Sequence, residues 1–287
     1  MKHDLPGQID FSGATRQQKL LDNAIEILRL AEPPEGYFLA TSFGKDSIVA
    51  QRVCDEAGVK YDAHNSITGL DPPELIRFGQ KYYPDVDRIK PNLYMGQLIL
   101  KKKMLPLRQA RYCCEYLKED KGHGRRCIMG IRASESQNRE KSYGYLTERT
   151  GRAKDVLRWF EPDEIVNQLQ SCATRGKMTV SPLLHWNDTD LWDFIHDRKI
   201  PYCDLYDQGF HRLGCIGCPM QSEHIRRYEY KRWPGFKKQL LFYINKLMET
   251  GRFTSMRNAE EVFEWWISDV TQSKPIEGQI DIEGIME

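Results

Sequence analysis

The chain has 287 residues, enough for one large domain or for one domain with an appendage. Hydrophobic residues make up 40% of it, which suffices for a buried core, and 42 basic residues balance 41 acidic ones. A net charge of +1 excludes nucleic-acid binding through bulk charge, although a local basic patch is compatible with it. The sequence has neither an apolar run that could cross a membrane nor the apolar segment of a secretory signal, so we expect a cytoplasmic protein with no membrane partner.

Helical and strand-like segments alternate along the first two hundred residues. Apolar positions at helical spacing predict a helix over 14–31, and a β-prone run over 37–42 leads through a turn into a helix ending at Gly58. Further along, the pattern predicts strand 60–66, helix 73–83, strand 125–133, strand 179–184 and a helix beginning near Asp188. This alternation predicts an α/β fold with a parallel sheet and helices on both faces.

Two regions depart from the alternation. Segment 140–178 is polar and poorly periodic, which fits either a mobile insertion or an ordinary surface excursion. After residue 200 the pattern is helical, with helices predicted over 223–233, 236–249 and 259–270. We therefore predict an N-terminal helix (1–35), a central domain (36–220) and a helical C-terminal region (221–287).

The most informative segment, SFGKDS at 42–47, lies where the first strand meets the next helix. Backbone N–H groups and the positive end of a helix dipole make such a turn an anion site. Gly44 permits close approach of the backbone, and Lys45 adds a compact positive charge. The spacing differs from the Walker pattern GxxxxGK[ST]. The segment predicts a phosphate-binding loop, with an ordinary turn capped by Asp46 as the alternative.

Four of the eight cysteines form two close sets, Cys113-Cys114 and Cys215-Ile216-Gly217-Cys218. Four thiolates suffice for a zinc ion or for a [4Fe–4S] cluster. The spacing alone does not decide between these metals, and four free thiols are a further alternative.

The other four cysteines have no such spacing. Cys54 and Cys127 fall in apolar segments, so we predict that they are core thiols. Cys172 and Cys203 fall in loop-like segments, so we interpret them as surface cysteines, with a reactive thiol as the alternative for each.

The loop resembles the SGGKDS loop of the PP-loop ATP pyrophosphatases, and the chain resembles, more narrowly, the phosphoadenosine-phosphosulfate (PAPS) reductase family. Phe43 departs from the small residue usual in that loop. The further segments that carry the resemblance, in the family's order, are Thr68-Gly69 with Pro73-Glu74, Gly130-Ile131-Arg132 with Glu135-Ser136 and Arg139, and Ser181-Pro182-Leu183-Leu184-His185-Trp186 with Asp190-Leu191-Trp192 and Ile200-Pro201-Tyr202. The resemblance implies a Rossmann-like fold of the adenine nucleotide α-hydrolase type.

The resemblance also implies roles for individual residues. Lys45 and Arg132 would stabilise charge during nucleotidyl transfer, and Asp46 would act with them as a catalytic residue and a ligand of Mg²⁺. For Arg132 and Arg139 a surface ion pair is the alternative. The expected nucleotide-binding residues are Ser42, Phe43, Gly44, Lys45, Asp46, Ser47, Thr68, Gly69, Gly130, Arg132 and Arg139. Iron–sulfur members of the family carry CC followed by a distant CxxC, so the resemblance favours a [4Fe–4S] cluster on Cys113, Cys114, Cys215 and Cys218.

The reductases of this family use a cysteine near the C-terminus, and no cysteine follows Cys218 in this sequence. Our leading hypothesis is therefore ATP-dependent activation for sulfur transfer, as in the PAPS-reductase-like component of DNA phosphorothioation systems. That hypothesis implies DNA or RNA as acceptor and a cysteine desulfurase as sulfur donor. The alternatives are a reductase of PAPS or of unphosphorylated APS that uses Cys172, Cys203 or an external thiol, and a non-catalytic nucleotide-binding iron–sulfur subunit.

A nucleic-acid acceptor would need a basic surface. Basic residues flank both cysteine sets, at Lys101-Lys102-Lys103, Arg108, Arg111, Arg125-Arg126, Arg226-Arg227 and Lys231-Arg232, and the last of these groups is interleaved with Tyr228, Tyr230 and Trp233. Phosphate contacts and stacking rings suit a single strand, whereas a solvated helix face with its rings packed inward is the alternative. A homodimer through the N-terminal helix is a further expectation.

Overall fold

A computed structural model describes residues 15–119, 121–122, 124–150, 153–157, 163 and 177–269. The chain forms two compact units, each described by itself below. The first unit comprises residues 1–66, 74–89 and 121–212, and the second comprises 67–73, 90–120 and 213–287. Neither unit is a continuous stretch of chain, and the division into regions 1–35, 36–220 and 221–287 stays a prediction.

The described elements are strands and helices, and the longest described connection between them is 198–222. The strands are β1 Tyr37–Ala40, β2 Tyr61–Ser66, β3 Asp87–Ile89, β4 Arg126–Ile128, β5 Leu146–Thr150, β6 Ala153–Leu157 and β7 Lys177–Val180. The helices are α1 Arg16–Leu30, α2 Lys45–Ala57, α3 Pro73–Tyr82, α4 Met95–Lys102, α5 Tyr112–Cys114, α6 Gln137–Ser142, α7 Asp188–Asp197, α8 Glu223–Arg232, α9 Pro234–Glu249 and α10 Ala259–Ile267. A π-helical turn, Glu115–Glu119, continues α5, and a 3₁₀ turn, Ala133–Glu135, precedes α6.

The first unit is built on a seven-stranded sheet with the order β3-β2-β1-β4-β7-β5-β6. Strands β3, β2, β1, β4 and β7 are parallel. The strand order reverses at β1, from which the chain proceeds to β2 and β3 on one side and later to β4 on the other. Ligands of open parallel sheets bind at such a reversal, outside the carboxyl ends of the strands. The predicted Rossmann-like α/β fold is confirmed, and β1 and β4 mark its ligand edge.

Local sequence signals explain the helices of this unit. The Thr15 hydroxyl accepts a hydrogen bond from the Gln18 backbone at 3.2 Å and caps α1. The apolar positions of α1 are buried, and α1 packs against α2. Helix α2 ends at Gly58, whose φ of 69° is accessible to glycine at little cost.

The second unit has a helical core. Helix α9 packs against α4, α8 and α10, and it buries Ile244 and Leu247. The fully buried Arg226 of α8 donates to Asp269 at 2.8 Å, and the Trp266 ring nitrogen donates to the Pro106 carbonyl at 2.8 Å. These contacts tie α8 and α10 to the segment before α5. The three predicted C-terminal helices are confirmed.

The structure corrects the sequence analysis at segment 140–178. Strands β5 and β6 form an antiparallel hairpin that extends the sheet, and β5 also pairs antiparallel with β7. Only two residues separate β5 from β6, and a connection of that length cannot join parallel strands. Residues 151–152, 158–162 and 164–176 of this segment lie outside the described residues. No described helix is long and apolar enough to span a bilayer.

Candidate functional site

The predicted phosphate loop lies between β1 and α2 in the first unit. Gly44 is the N-cap of α2 and has no side chain to cap the helix. Ser47 folds back, with its hydroxyl donating to the Gly44 carbonyl at 2.9 Å and accepting the Ser42 N–H at 3.2 Å. The Lys45 N–H donates to the Tyr206 hydroxyl at 2.9 Å. The loop is therefore tightly folded around a helix N-terminus, as an anion site requires.

Lys45 is the buried cation of this loop. Its side chain is 6% exposed, and Nζ donates to the His211 carbonyl at 3.0 Å. The same Nζ lies 3.4 Å from the Asp188 carboxylate and 3.8 Å from that of Asp46. The charge is held in place by three oxygen atoms and is shielded from bulk water.

Arg132 completes a cluster of two cations and two carboxylates. Its Nε donates to Asp46, and its Nη2 donates to Asp188 at 2.8 Å. Burial lowers the pKa of the Arg132 guanidinium, but the carboxylates of Asp46 and Asp188 raise it by more in sum, so the group stays charged. Burial raises the pKa of the Asp188 carboxyl, but Lys45 and Arg132 together lower it by more. The pKa of this carboxyl therefore lies below its ordinary value. The guanidinium of Arg132 and the carboxylate of Asp188 thus favour each other's charged forms.

Two residues of the predicted set act through the backbone. A Cβ on Gly130 would lie 2.5 Å from the Asp46 carbonyl oxygen, so only glycine permits this approach of the segment after β4 to α2. Phe43 has a φ of 59°, and its side chain is buried against α3. Phe43 therefore offers a ligand its backbone, whereas its ring belongs to the core.

The remaining predicted nucleotide residues are Arg139, Thr68 and Gly69. Arg139 pairs with Glu135 at 3.3 Å on the short helix α6, which is the surface-pair alternative. Thr68 and Gly69 belong to the second unit, where the Thr68 hydroxyl donates to Asp71 at 2.6 Å. Nucleotide binding by these three residues stays a prediction.

The four paired cysteines meet in the second unit. They line one cavity of about 150 Å³, together with Thr68, Lys118 and apolar side chains such as those of Leu117, Tyr230 and Trp266. The two sets come from α5 and from the loop after residue 213, which are far apart in sequence. The structure thus brings together the four residues that the spacing singled out.

Polar groups surround the thiols of this cavity. The Cys215 thiol lies 3.8 Å from the Thr68 hydroxyl. Burial raises the pKa of the Cys215 thiol, and Lys118 offsets part of that rise. In turn, the Cys215 charge raises the pKa of Lys118. A hydrogen bond with Cys114, followed by burial, raises the pKa of the Cys113 thiol.

The loop that carries Cys215 and Cys218 is rigidly braced. Gly217 has a φ of 71°, and its N–H donates to Glu229 at 2.7 Å. Arg108 donates to the Pro219 carbonyl at 2.8 Å and to the Gln221 carbonyl at 2.9 Å. The loop geometry is therefore set by side chains of the second unit that the cysteine pattern does not contain.

The other described cysteines serve packing. Cys54 and Cys127 are fully buried, which confirms the prediction of core thiols. Cys203 is 2% exposed, so its interpretation as a surface cysteine is wrong. Its residue type was informative, since cysteine is among the most often buried residues, but its loop-like surroundings were misleading. Cys172 lies outside the described residues.

Helix α8 follows the inward-packing alternative rather than the stacking one. Arg226 is buried, Arg227 pairs with Glu223 at 2.8 Å, and the rings of Tyr230 and Trp233 are buried. Only Tyr228 among these rings is well exposed, at 47%. Trp266 of α10 is also buried.

The sequence analysis missed two residues that contact Lys45, namely Asp188 and Tyr206. Asp188 lies two residues after the Ser181–Trp186 segment, and an acidic residue in the first turn of a predicted helix is common enough to pass as a capping feature. Tyr206 lies 161 positions from its partner Lys45, so no local pattern indicates the contact.

Comparisons with known proteins identify the family of the chain. Residues 36–221 match the model of the phosphoadenosine phosphosulfate reductase domain. An adenosine 5′-phosphosulfate reductase of Lysinibacillus sphaericus is 26% identical over 221 residues, which cover 75% of this chain and 88% of that protein. An uncharacterized protein of Methanocaldococcus jannaschii is 28% identical over 213 residues, 67% of this chain, and the match spans only 44% of that protein's length.

Other similarities are shorter or concern the fold. An adenosine 5′-phosphosulfate reductase of Oceanobacillus iheyensis is 39% identical over 59 residues, which are 21% of this chain and 25% of that protein. Among solved structures, the PAPS reductase of Candida auris in its phosphate complex has a TM-score of 0.46 at 15% identity, covering 74% of this chain and 98% of that one. Because the family model matches more than half of the sequence, the chain belongs to the PAPS reductase domain family.

Proposed function

We propose that the chain is an ATP-dependent enzyme that adenylates an acceptor for sulfur transfer. The observation that carries this proposal is the cluster of Lys45, Asp46, Arg132 and Asp188 at the N-terminus of α2. Two cations suit a polyphosphate, and two carboxylates beside them suit the Mg²⁺ that accompanies it. A sulfonucleotide alone would not need the carboxylates.

The proposed reaction takes place at the α-phosphorus of ATP. An acceptor oxygen forms a bond to that phosphorus, the bond to the bridging oxygen breaks, and pyrophosphate leaves. The terminal sulfur of a persulfide then bonds to the activated centre, and AMP leaves with the adenylated oxygen. A thiol reductant supplies two electrons to cleave the resulting disulfide, so that the sulfur stays on the acceptor. Lys45 and Arg132 stabilise the negative charge that develops on the phosphate oxygens, and the α2 N–H groups orient them.

The cysteine-lined cavity of the second unit would hold a [4Fe–4S] cluster. Number, ligand type and a common cavity fit such a cluster on Cys113, Cys114, Cys215 and Cys218. A zinc ion on the same four cysteines is the alternative, because four thiolates suffice for either group. When bound, the cluster would supply thiolate-ligated iron for electron or sulfur chemistry.

The acceptor in this proposal is DNA or RNA, and a cysteine desulfurase supplies the sulfur. Lys101, Lys103 and Arg111 lie exposed around α4 and α5, which supports contacts with phosphates. The paired arginines of α8 contribute less to this surface, because their charges are already compensated.

The test uses anaerobically purified full chain with its iron and sulfide content measured. One sample receives ATP, Mg²⁺ and a DNA or RNA acceptor, and another receives PAPS or APS with a thiol reductant, with pyrophosphate and sulfite assayed in both. We expect pyrophosphate without sulfite, lost in Lys45→Ala and retained in Arg52→Ala, whose side chain is exposed and pairs with Glu56. Sulfite release without pyrophosphate would overturn the proposal.

A second candidate is reduction of APS or PAPS, which the names of the Lysinibacillus and Oceanobacillus relatives favour. Reduction to sulfite needs two electrons and therefore two thiols. Cys203 does not suit this role, since it is buried and burial raises the pKa of its thiol. This candidate therefore requires an external thiol, and sulfite release that depends on added thioredoxin or dithiothreitol would establish it.

A further inference from the structure

Arg88 lies in β3 at the carboxyl edge of the sheet, two strands away from β1. Its Cα pairs with that of Asn65 in β2, and the Asn65 amide donates to the Thr41 carbonyl at 2.9 Å. Thr41 directly precedes the phosphate loop. A row of residues therefore runs along this edge of the first unit from the loop to Arg88.

The guanidinium of Arg88 packs on the loop itself. Its Cζ lies 5.7 Å from the centre of the Phe43 ring, within the range of a cation–π contact. The ring is 4% exposed and occupies space that Gly79 leaves open, since a Cβ there would lie 2.6 Å from the ring. The residue that departs from the family's loop pattern thus supports an arginine beside the loop.

This arginine has no anionic partner among the described residues. Its Nη2 is buried and makes no hydrogen bond. By contrast, Lys45 and Arg132 each contact two carboxylates. A buried charged N–H group without an acceptor is costly, so a partner outside the described protein atoms is expected.

We infer that Arg88 binds a phosphate group of the nucleotide other than the one at the N-terminus of α2. The inference rests on the proposed nucleotide site and extends it by one specificity residue. A guanidinium suits this task because its fork of donors matches the oxygens of a phosphate. The phosphate comes either from the ribose or from the far end of the polyphosphate chain.

Calorimetric titration of the full chain distinguishes the two sources. AMP, ATP and adenosine 3′,5′-bisphosphate are compared for the unmodified chain, Arg88→Gln and the exposed control Arg52→Gln. We expect Arg88→Gln to weaken either ATP or the bisphosphate by about 10- to 100-fold and AMP by less than about threefold. Selective loss for ATP assigns the polyphosphate, and selective loss for the bisphosphate assigns the ribose phosphate.

Equal weakening of all three nucleotides, or of none, would overturn the assignment of Arg88. If Arg88→Gln fails to fold, Arg88→Lys replaces it, because lysine keeps the charge and lacks the paired donors of the guanidinium. The inference then requires the same selective loss of affinity, with a smaller fold-change. If the unmodified chain binds none of the three nucleotides, the proposed function fails and the Arg88 assignment fails with it. If Lys45→Ala abolishes binding and Arg88→Gln changes nothing, only the assignment fails.

Discussion

The two units organise their candidate sites by different physical means. In the first unit, ionised groups meet at the edge of a parallel sheet, with Lys45 and Arg132 each compensated by carboxylates. In the second unit, thiols line an apolar cavity whose loop is fixed by backbone hydrogen bonds to Arg108 and Glu229. The first site should therefore respond most to changes of charge, and the second to changes of volume. Four predictions test this difference.

The largest effect is expected from removing the charge of Lys45. Lys45→Ala should lower the rate of pyrophosphate release by about 10²- to 10³-fold, because a positioned cation at the reacting phosphate is lost. The melting temperature should change little, since Asp46 and Asp188 keep Arg132 as partner. A large fall in both the melting temperature and the rate of pyrophosphate release would show that Lys45 has a structural role. Arg52→Ala serves as the control for both measurements.

The second unit should respond to a single added methyl group. In Gly217→Ala the Cβ would lie 2.1 Å from the Tyr230 hydroxyl at a φ of 71°, so we expect the free energy of unfolding to fall by ~2–5 kcal/mol. Gly214→Ala is the matched control, because nothing lies within 4 Å of its Cβ. Urea unfolding measures both, and equal stabilities of the two variants would contradict the bracing described for this loop.

Asp188 tests whether the carboxylates of the first site hold a cation. Asp188→Asn should raise the Mg²⁺ concentration needed for half-maximal pyrophosphate release by about tenfold. Asp193→Asn, on the exposed side of the same helix α7, should leave it unchanged. An unchanged Mg²⁺ requirement in Asp188→Asn would restrict Asp188 to orienting Lys45 and Arg132.

The smallest effect is expected for charges of the first unit outside its site. Asp62 accepts a hydrogen bond from Arg125 at 2.5 Å and also contacts His64. The hydrogen bond from Arg125 lowers the pKa of the Asp62 carboxyl by more than burial raises it. A lowered pKa in the folded state stabilises the fold above the ordinary value of 3.8, and this contribution is lost as the pH falls through the folded-state pKa. Because the side chain is 48% exposed, Asp62→Asn should cost at most ~1 kcal/mol at pH 7. Urea unfolding should show a smaller difference in unfolding free energy between the unmodified chain and Asp62→Asn at pH 3 than at pH 7. The same difference at both pH values would exclude the Asp62 charge as its cause.

Local patterns predicted the parallel part of the sheet and the loop, because a strand, a glycine turn and a helix leave signals within a few residues. They missed the β5–β6 hairpin, whose strands are short and alternate little, and they placed Cys203 on the surface. The cluster partners Asp188 and Tyr206 could not be read from the sequence, since their contacts with Lys45 depend on how distant segments cross the sheet edge. The cysteine set was predicted as a group, whereas Arg108 and Glu229, which brace it, carry no local signature.

The alternation of the two units along the chain has a consequence for biosynthesis. The second unit is assembled from residues 67–73, 90–120 and 213–287, with segments of the first unit synthesised between them. The core of the second unit therefore cannot form during translation until segment 213–287 has left the ribosome. The entropy cost of closing the loops between its three segments falls at this late stage. About a hundred residues are synthesised between Cys113-Cys114 and the partners Cys215 and Cys218, which takes roughly 5 to 20 seconds at ordinary elongation rates. During that interval Cys113 and Cys114 are a half-site, open to oxidants and to stray metal ions.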